Sequence, residues 1–304
     1  MTASARRAIV LAMLLAASGV AAQDDRLRIV TTTTALTSLA EAVGGRRVAV
    51  TSLAPPGINA EDYQPRPQDL QRIGEAKLLL RVGADYDLWV DRLVARALRP
   101  DLWRGGRGYV DCSFTIALLE VRGTQVGPGD GHAHGNGNPH YWLDPRNAGP
   151  ITGAILGALA RNDPANAEYY EVEREGFLRR LEARLPEWEH RLAPLQGQPL
   201  VAYHNSWPYF ARRFRLNFAG YIEPRPGIPP PPSHLAALVN LMADQRVKVI
   251  VRQPHEPARD AEFLAARTGA KVALLAASVG AVPQAGDYLA LFDYNVEALA
   301  AAFR

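Results

Sequence analysis

The sequence predicts an α/β protein of two lobes, each a four-stranded parallel sheet flanked by helices, joined by a long rigid linking helix. Two patterns and one length argument lead there. Short apolar runs rich in β-branched residues alternate with helix-length amphipathic segments in both halves, the pattern of strands buried on both faces. A charged stretch in mid-chain carries apolar residues at three- and four-residue steps, so it reads as one helix with a buried face. After an amino-terminal leader, about 280 residues remain, more than one hydrophobic core usually serves.

Taken in order, strands are expected at Leu27–Thr31, Val48–Leu53, Lys77–Val82 and Tyr109–Cys112, with helices at Leu36–Val43, Pro67–Ile73 and Leu88–Leu98. Asp144-Pro145 can open a further helix, because Asp caps and Pro suits the first helical position. The linking helix starts from Asp163-Pro164 for the same reason. It buries Tyr170, Phe177, Leu178, Leu181, Leu185, Trp188 and Leu192, and Pro186 is expected to kink or end it. The second half repeats the scheme with strands at Leu200–Tyr203, Phe218–Ile222, Val247–Val251 and Val272–Leu275. Its helices are expected at Trp207–Phe214, Leu235–Ala243, Ala258–Thr268 and Tyr288–Phe303. Proline-rich 223–232 resists helix and forms a stiff loop. The resulting division is a leader at 1–22, a first lobe at 23–162, the linking helix at 163–194 and a second lobe at 195–304.

Arg6-Arg7, the apolar run Ala8–Ala17 and small residues up to Ala22 describe a secretory signal peptide, cleaved after Ala22. The run is too short to span a bilayer, so the mature chain is expected in the periplasm and not across a membrane. Removing residues 1–22 takes two of the 34 basic residues and no acid, leaving 32 against 31, a formal +1. That balance excludes a nucleic-acid footprint despite a pI near 9.1. The single cysteine, Cys112, cannot form an intramolecular disulfide and reads as core filler.

Ligands of parallel sheets bind outside the carboxyl ends of the strands. The chemistry-bearing residues fall there: Glu61 and Asp62 after the second strand, His204 after Leu200–Tyr203, and His255 with Glu256 after Val247–Val251. His140 lies in the loop leaving the first lobe. Neutral imidazole is the commonest nitrogen ligand for divalent metals, so the convergence points to a metal site between the lobes.

Four segments carry a resemblance: Asn138-Pro139-His140-Tyr141-Trp142-Leu143-Asp144-Pro145, Tyr203-His204-Asn205-Ser206-Trp207-Pro208-Tyr209-Phe210, Tyr63-Gln64-Pro65-Arg66-Pro67-Gln68-Asp69-Leu70, and Asp287–Asn295. In this order they resemble the periplasmic metal-binding receptors of zinc and manganese ABC transporters, the ZnuA/TroA-like group. The resemblance covers nearly the whole mature chain. It implies one divalent cation in the inter-lobe cleft, delivered to an inner-membrane ABC permease.

Carried over residue by residue, His140 and His204 match two of the family's ligands. Glu61 stands where the family has histidine, and glutamate can ligate zinc through oxygen. Ala277 stands where an aspartate is common and cannot coordinate. His255 from the neighbouring strand end, or water, then fills the fourth position. Two imidazoles and a carboxylate suit zinc first, with manganese or iron(II) as alternatives. Asp144 either caps the following helix or orients a ring N–H. His132 and His134 sit in a glycine-rich loop, read as solvated, with a weak capture site as the alternative.

A different class of function remains open at this point. Three protein ligands with one open position also describe catalytic zinc, and Glu256 near His255 could act as general base. No His-Glu-x-x-His helix is present, however, and the histidines lie on separate loops of both lobes. A monomeric binding protein, not an enzyme, is expected, with a metallochaperone role as a further alternative.

Overall fold

The computed structural model describes residues 25–120, 137–225 and 227–304. The expected leader and the His132/His134 loop lie outside the described residues.

The first lobe holds strands β1 (Leu27–Thr31), β2 (Val48–Ser52), β3 (Leu78–Arg81) and β4 (Tyr109–Asp111), all parallel, in the order β2-β1-β3-β4. The second holds β5 (Pro199–Ala202), β6 (Asn217–Tyr221), β7 (Val249–Arg252) and β8 (Lys271–Leu274), also all parallel, in the order β6-β5-β7-β8. The strand order is the same in both lobes. Each reverses direction of winding beside its first strand, and that switch point opens a crevice at the carboxyl edge. The two crevices face each other across the cleft.

Helices α1 (Thr34–Gly44), α2 (Pro67–Glu75) and α3 (Trp89–Arg96) cover the first sheet. Thr33 caps α1 through its side chain. Helix α4 (Ala148–Asn162) follows a short 3-10 turn at Pro145–Asn147, opened by Asp144, whose carboxylate accepts from the Arg146 amide at 3.0 Å. The second lobe adds α6 (Pro208–Phe214), α7 (Pro232–Asp244), α8 (Ala258–Thr268) and α9 (Tyr288–Ala302).

Between the lobes runs α5 (Ala167–Leu192), continued by 3-10 turns at both ends. Pro186 was expected to kink or end it, and the helix does not end there but continues to Leu192. The reason is energetic. An internal proline costs about 3 kcal/mol, whereas Leu185, Trp188 and Leu192 on either side each bury a side chain worth roughly 1.5–3 kcal/mol.

The linking helix is packed on both sides. Arg174 donates to Thr152 and to the Gly149 carbonyl of α4, and Trp188 donates to Asp293 of α9 at 2.8 Å. Helix α9 itself reaches the first lobe, where the Tyr288 amide donates to Ser38 and its hydroxyl to the Trp142 carbonyl at 2.6 Å. One apolar core therefore runs continuously from the first sheet through α5 and α9 to one face of the second sheet. A smaller core, around Ile250 and Leu264, fills that sheet's other face. Cys112 is buried in the large core as a free thiol. No helix among the described residues is long and apolar enough to cross a membrane.

Candidate metal centre

His140 is held on several sides. Asn138 accepts from its backbone amide at 3.0 Å and stands 3.1 Å from its ring Nδ1. Tyr86 meets the ring edge-on at 5.5 Å and Trp142 leans on it at 5.3 Å. Trp142 is in turn pinned by its indole N–H, which donates to the Ala277 carbonyl at 2.8 Å. Ala277 thus supports the site through its backbone, although its methyl offers no donor atom.

Tyr86 is delivered by an unusual turn. Gly83, Ala84 and Asp85 are all left-handed, with φ of 75°, 47° and 63°. The two non-glycine residues each cost roughly 1–2 kcal/mol in this region. What holds the turn is Asp87, fully buried, which accepts from the Val82 amide at 2.7 Å, from the Thr32 hydroxyl at 2.6 Å and from Arg81.

His204 sits two residues beyond β5 and is held differently. Its ring Nδ1 is bonded to the Glu223 carboxylate, just past the end of β6. With Nδ1 of each ring engaged, Nε2 of each faces the cleft. Burial works against the protonated form of His204. The Glu223 bond and the negative charges of Glu61, Glu223 and Glu256 outweigh it and hold the pKa above its ordinary 6.5.

Glu61 arrives from the loop after β2, its amide donating to the Asn59 side chain at 3.1 Å. Its Oε1 stands 3.2 Å from His140 Nε2 and 3.9 Å from His204 Nε2. Potential ligand atoms of Glu61, His140 and His204 all lie within 4.8 Å of one another. For metal–ligand bonds of about 2.0–2.2 Å, tetrahedral ligand atoms are about 3.3–3.6 Å apart, close to the 3.2 and 3.9 Å that separate Glu61 Oε1 from the two rings.

His255 and Asp62 do not join this trio. Both line the same cavity of about 260 Å³, and Asp62 is engaged by Asn59 at 2.9 Å. Burial lowers the pKa of His255, and the nearby His204 lowers it further, so the neutral ring is favoured. Burial pushes Glu256 up to about 7, against the opposing pull of the Gln253 amide. Asp144 caps its helix and receives Arg213 of α6 at 2.8 and 3.0 Å, an ion pair between the lobes. It is Asn138, not Asp144, that faces the ring nitrogen of His140.

Two residues that touch the imidazoles directly escaped the sequence reading. Glu223 follows a strand at the carboxyl edge, and the strand-end rule alone would have singled it out. Asn138 left no such signal, because an amide's orienting role depends on which groups fold around it. Pro232, expected in the proline-rich loop, instead opens α7 at its first position, and among the described residues the loop before it borders the cavity through Glu223, Gly227 and Pro229.

Several known proteins resemble this chain. The iron-binding protein YfeA of Yersinia pestis is 25% identical, over 91% of this chain and 86% of its own. The high-affinity zinc uptake system protein ZnuA of Bacillus subtilis is 24% identical, over 91% and 88%. The solved structure of the SBP FpvC from Pseudomonas aeruginosa in complex with Mn2+ is 27% identical and superposes with a TM-score of 0.76, over 91% of this chain and 98% of that one. The family model "Zinc-uptake complex component A periplasmic" matches residues 29–302. The chain therefore belongs to the ZnuA family of periplasmic metal-binding proteins, substrate-binding components of ABC transporters and not enzymes.

Proposed function

We propose that this protein captures a single divalent ion, zinc in preference to iron(II) or manganese, through Glu61, His140 and His204. Water or His255 completes the coordination, and the ion is delivered to an inner-membrane ABC permease. The observation that carries the reading is the convergence of those three side chains, two from one lobe and one from the other, within 4.8 Å. Zinc is favoured by the donor set, two imidazole nitrogens and one carboxylate oxygen, and by the general order of divalent affinities. The relatives include proteins named for zinc and for iron and one solved with manganese, so ancestry alone does not choose among the three metals.

A leader cleaved after Ala22 would place the chain in the periplasm, and one copy suffices because both lobes of one chain supply the ligands. The continuous core through α5 and α9 favours small lobe adjustments on binding over wide hinge closure.

The test is competitive titration of apo protein with Zn2+, Mn2+ and, without oxygen, Fe2+, against a chromophoric chelator. One equivalent should bind, most tightly for zinc and least for manganese. His140→Ala and His204→Ala should each weaken zinc binding by more than about 100-fold, beyond the loss typical of residues that only orient a ligand. Manganese outcompeting zinc would overturn the zinc assignment, and absence of any stoichiometric binding would end the receptor reading.

A further inference from the structure

Behind the two imidazoles lies a layer of contacts that the proposed ligand set does not use. Asn138 is 1% exposed and sits two residues before His140. Its Nδ2 donates to two acceptors, Glu120 Oε2 at 3.1 Å and the Asn205 carbonyl at 2.9 Å. A side-chain nitrogen facing two acceptors fixes which way round the amide sits, because the flipped oxygen would oppose both. Oδ1 is thereby turned to His140, against its amide N–H and its ring Nδ1. An oxygen acceptor at Nδ1 selects the tautomer with the proton there, which leaves the Nε2 lone pair for a metal.

Glu120 makes a second contact. The same Oε2 accepts from Asn205 Nδ2 at 3.0 Å, and Asn205 directly follows His204. One carboxylate oxygen therefore holds the segments that carry both imidazoles, one from each lobe. Glu120 is left-handed, with φ of 55°, a backbone that glycine or asparagine would adopt more easily. Nearby, the Tyr209 hydroxyl accepts from the Leu119 amide at 2.9 Å and donates to the Asn138 carbonyl at 2.7 Å, fixing the base of this arrangement.

We infer that Glu120 is a positioning residue for metal capture: through Asn138, and together with the Asn205 carbonyl, it sets the tautomer of His140, and through the Asn205 side chain it ties the His140 and His204 segments together across the cleft. The inference rests on the reading of His140 and His204 as ligands. Glu120 touches no metal.

The test uses Glu120→Leu and Glu120→Gln in the full chain, with Zn2+ alone as the probe. Nitrogen–proton correlation spectra of the apo protein report the imidazole tautomers, chelator competition reports affinity, and thermal melting checks the fold. Glu120 is exposed at the surface, so neither variant threatens the core. In wild type, His140 should hold its proton on Nδ1. Glu120→Leu should give mixed tautomers and bind zinc about tenfold more weakly, at the low end for outer partners of a ligand, with its melting temperature unchanged. Glu120→Gln keeps an oxygen acceptor and should restore both readouts to within about twofold. A single Nδ1 tautomer in Glu120→Leu overturns the inference, whether or not affinity falls, and so does an unchanged affinity. Failure of the ligand reading shows itself separately: wild type then binds no zinc, or His140→Ala binds as wild type does.

Discussion

The two lobes share a strand order, and both close the strand beside the switch point with an arginine, Arg81 on β3 and Arg252 on β7. In each, the amide of the next residue donates to a buried carboxylate, Val82 to Asp87 and Gln253 to Glu256. There the likeness ends. Arg81 turns onto Asp87 at 2.9 Å and onto Asp91 at 2.7 Å, with its guanidinium only 2% exposed. Arg252 donates instead to the carbonyls of Gln253 and Glu256, both at 3.1 Å. Burial pushes both carboxylates up, but Asp87 is pulled back by Arg81, Thr32 and the Val82 amide, whereas Glu256 reaches about 7. One lobe offsets a buried charge with a cation and the other with a proton. A pH response near neutrality is therefore expected at Glu256.

The largest effect expected from this difference lies at Arg81. Arg81→Met leaves Asp87 buried without its cation and should destabilise the protein by about 3–5 kcal/mol in chemical denaturation. Adding Asp87→Asn should recover much of that loss, since the neutral amide tolerates burial. A single variant with nearly wild-type stability would remove the contrast between the lobes.

Next comes Glu256. Its folded pKa is raised, so the folded state holds a proton there that the unfolded state releases between its ordinary 4.5 and about 7. The contribution is fully present below pH 4.5 and is lost as pH rises through 7. Glu256→Gln should flatten stability across that window and favour the variant above pH 7 by up to about 3 kcal/mol. Parallel stability profiles for the two proteins would count against the assignment.

Glu223 carries a smaller effect with a sign of its own. Its bond holds the His204 pKa up, so the protonated ring stabilises the apo protein below 6.5, and that gain is lost as pH rises through the raised folded value. Metal needs the neutral ring, so zinc affinity, and the thermal shift zinc causes, should increase over the same rise in pH. Glu223→Gln should move this transition to lower pH. It should also weaken binding at high pH by roughly 10–100-fold, because the ring loses the carboxylate that orients it and raises its basicity. An unmoved transition would mean that another group sets the proton competition.

The molecule also separates what patterning shows from what packing decides. All eight strands were legible to within a residue or two at their ends, most plainly the central ones such as Leu78–Arg81 and Val249–Arg252, whose burial leaves little room for polar residues. Boundaries were less legible where signals repeat. Four consecutive threonines offer several caps for α1, and tertiary packing selects Thr33. That the helix would not end at Pro186 was hidden for a related reason: the proline's cost is local and visible, whereas the burial of Trp188 depends on Phe292 of α9, about a hundred residues away.

Within the site, His140, His204 and Glu61 could be named from their places after strands and their aromatic or acidic neighbours. Their spacing could not, because it depends on two lobes docking through α5 and α9. Strand-end position also suggested His255, which lines the cavity apart from the trio. The groups that orient each ring were least visible of all, Asn138 and Glu120 behind one imidazole and Glu223 behind the other.

By itself, the sequence determined the alternation of elements, the two-lobed plan and the kinds of donor atoms available, since these follow from local hydrophobic period and side-chain chemistry. Only the tertiary structure decided which donors meet, which ring nitrogen faces the cleft and which buried carboxylate keeps its proton. Each of those depends on distances of a few ångströms between residues far apart in the chain, and no local pattern encodes such distances.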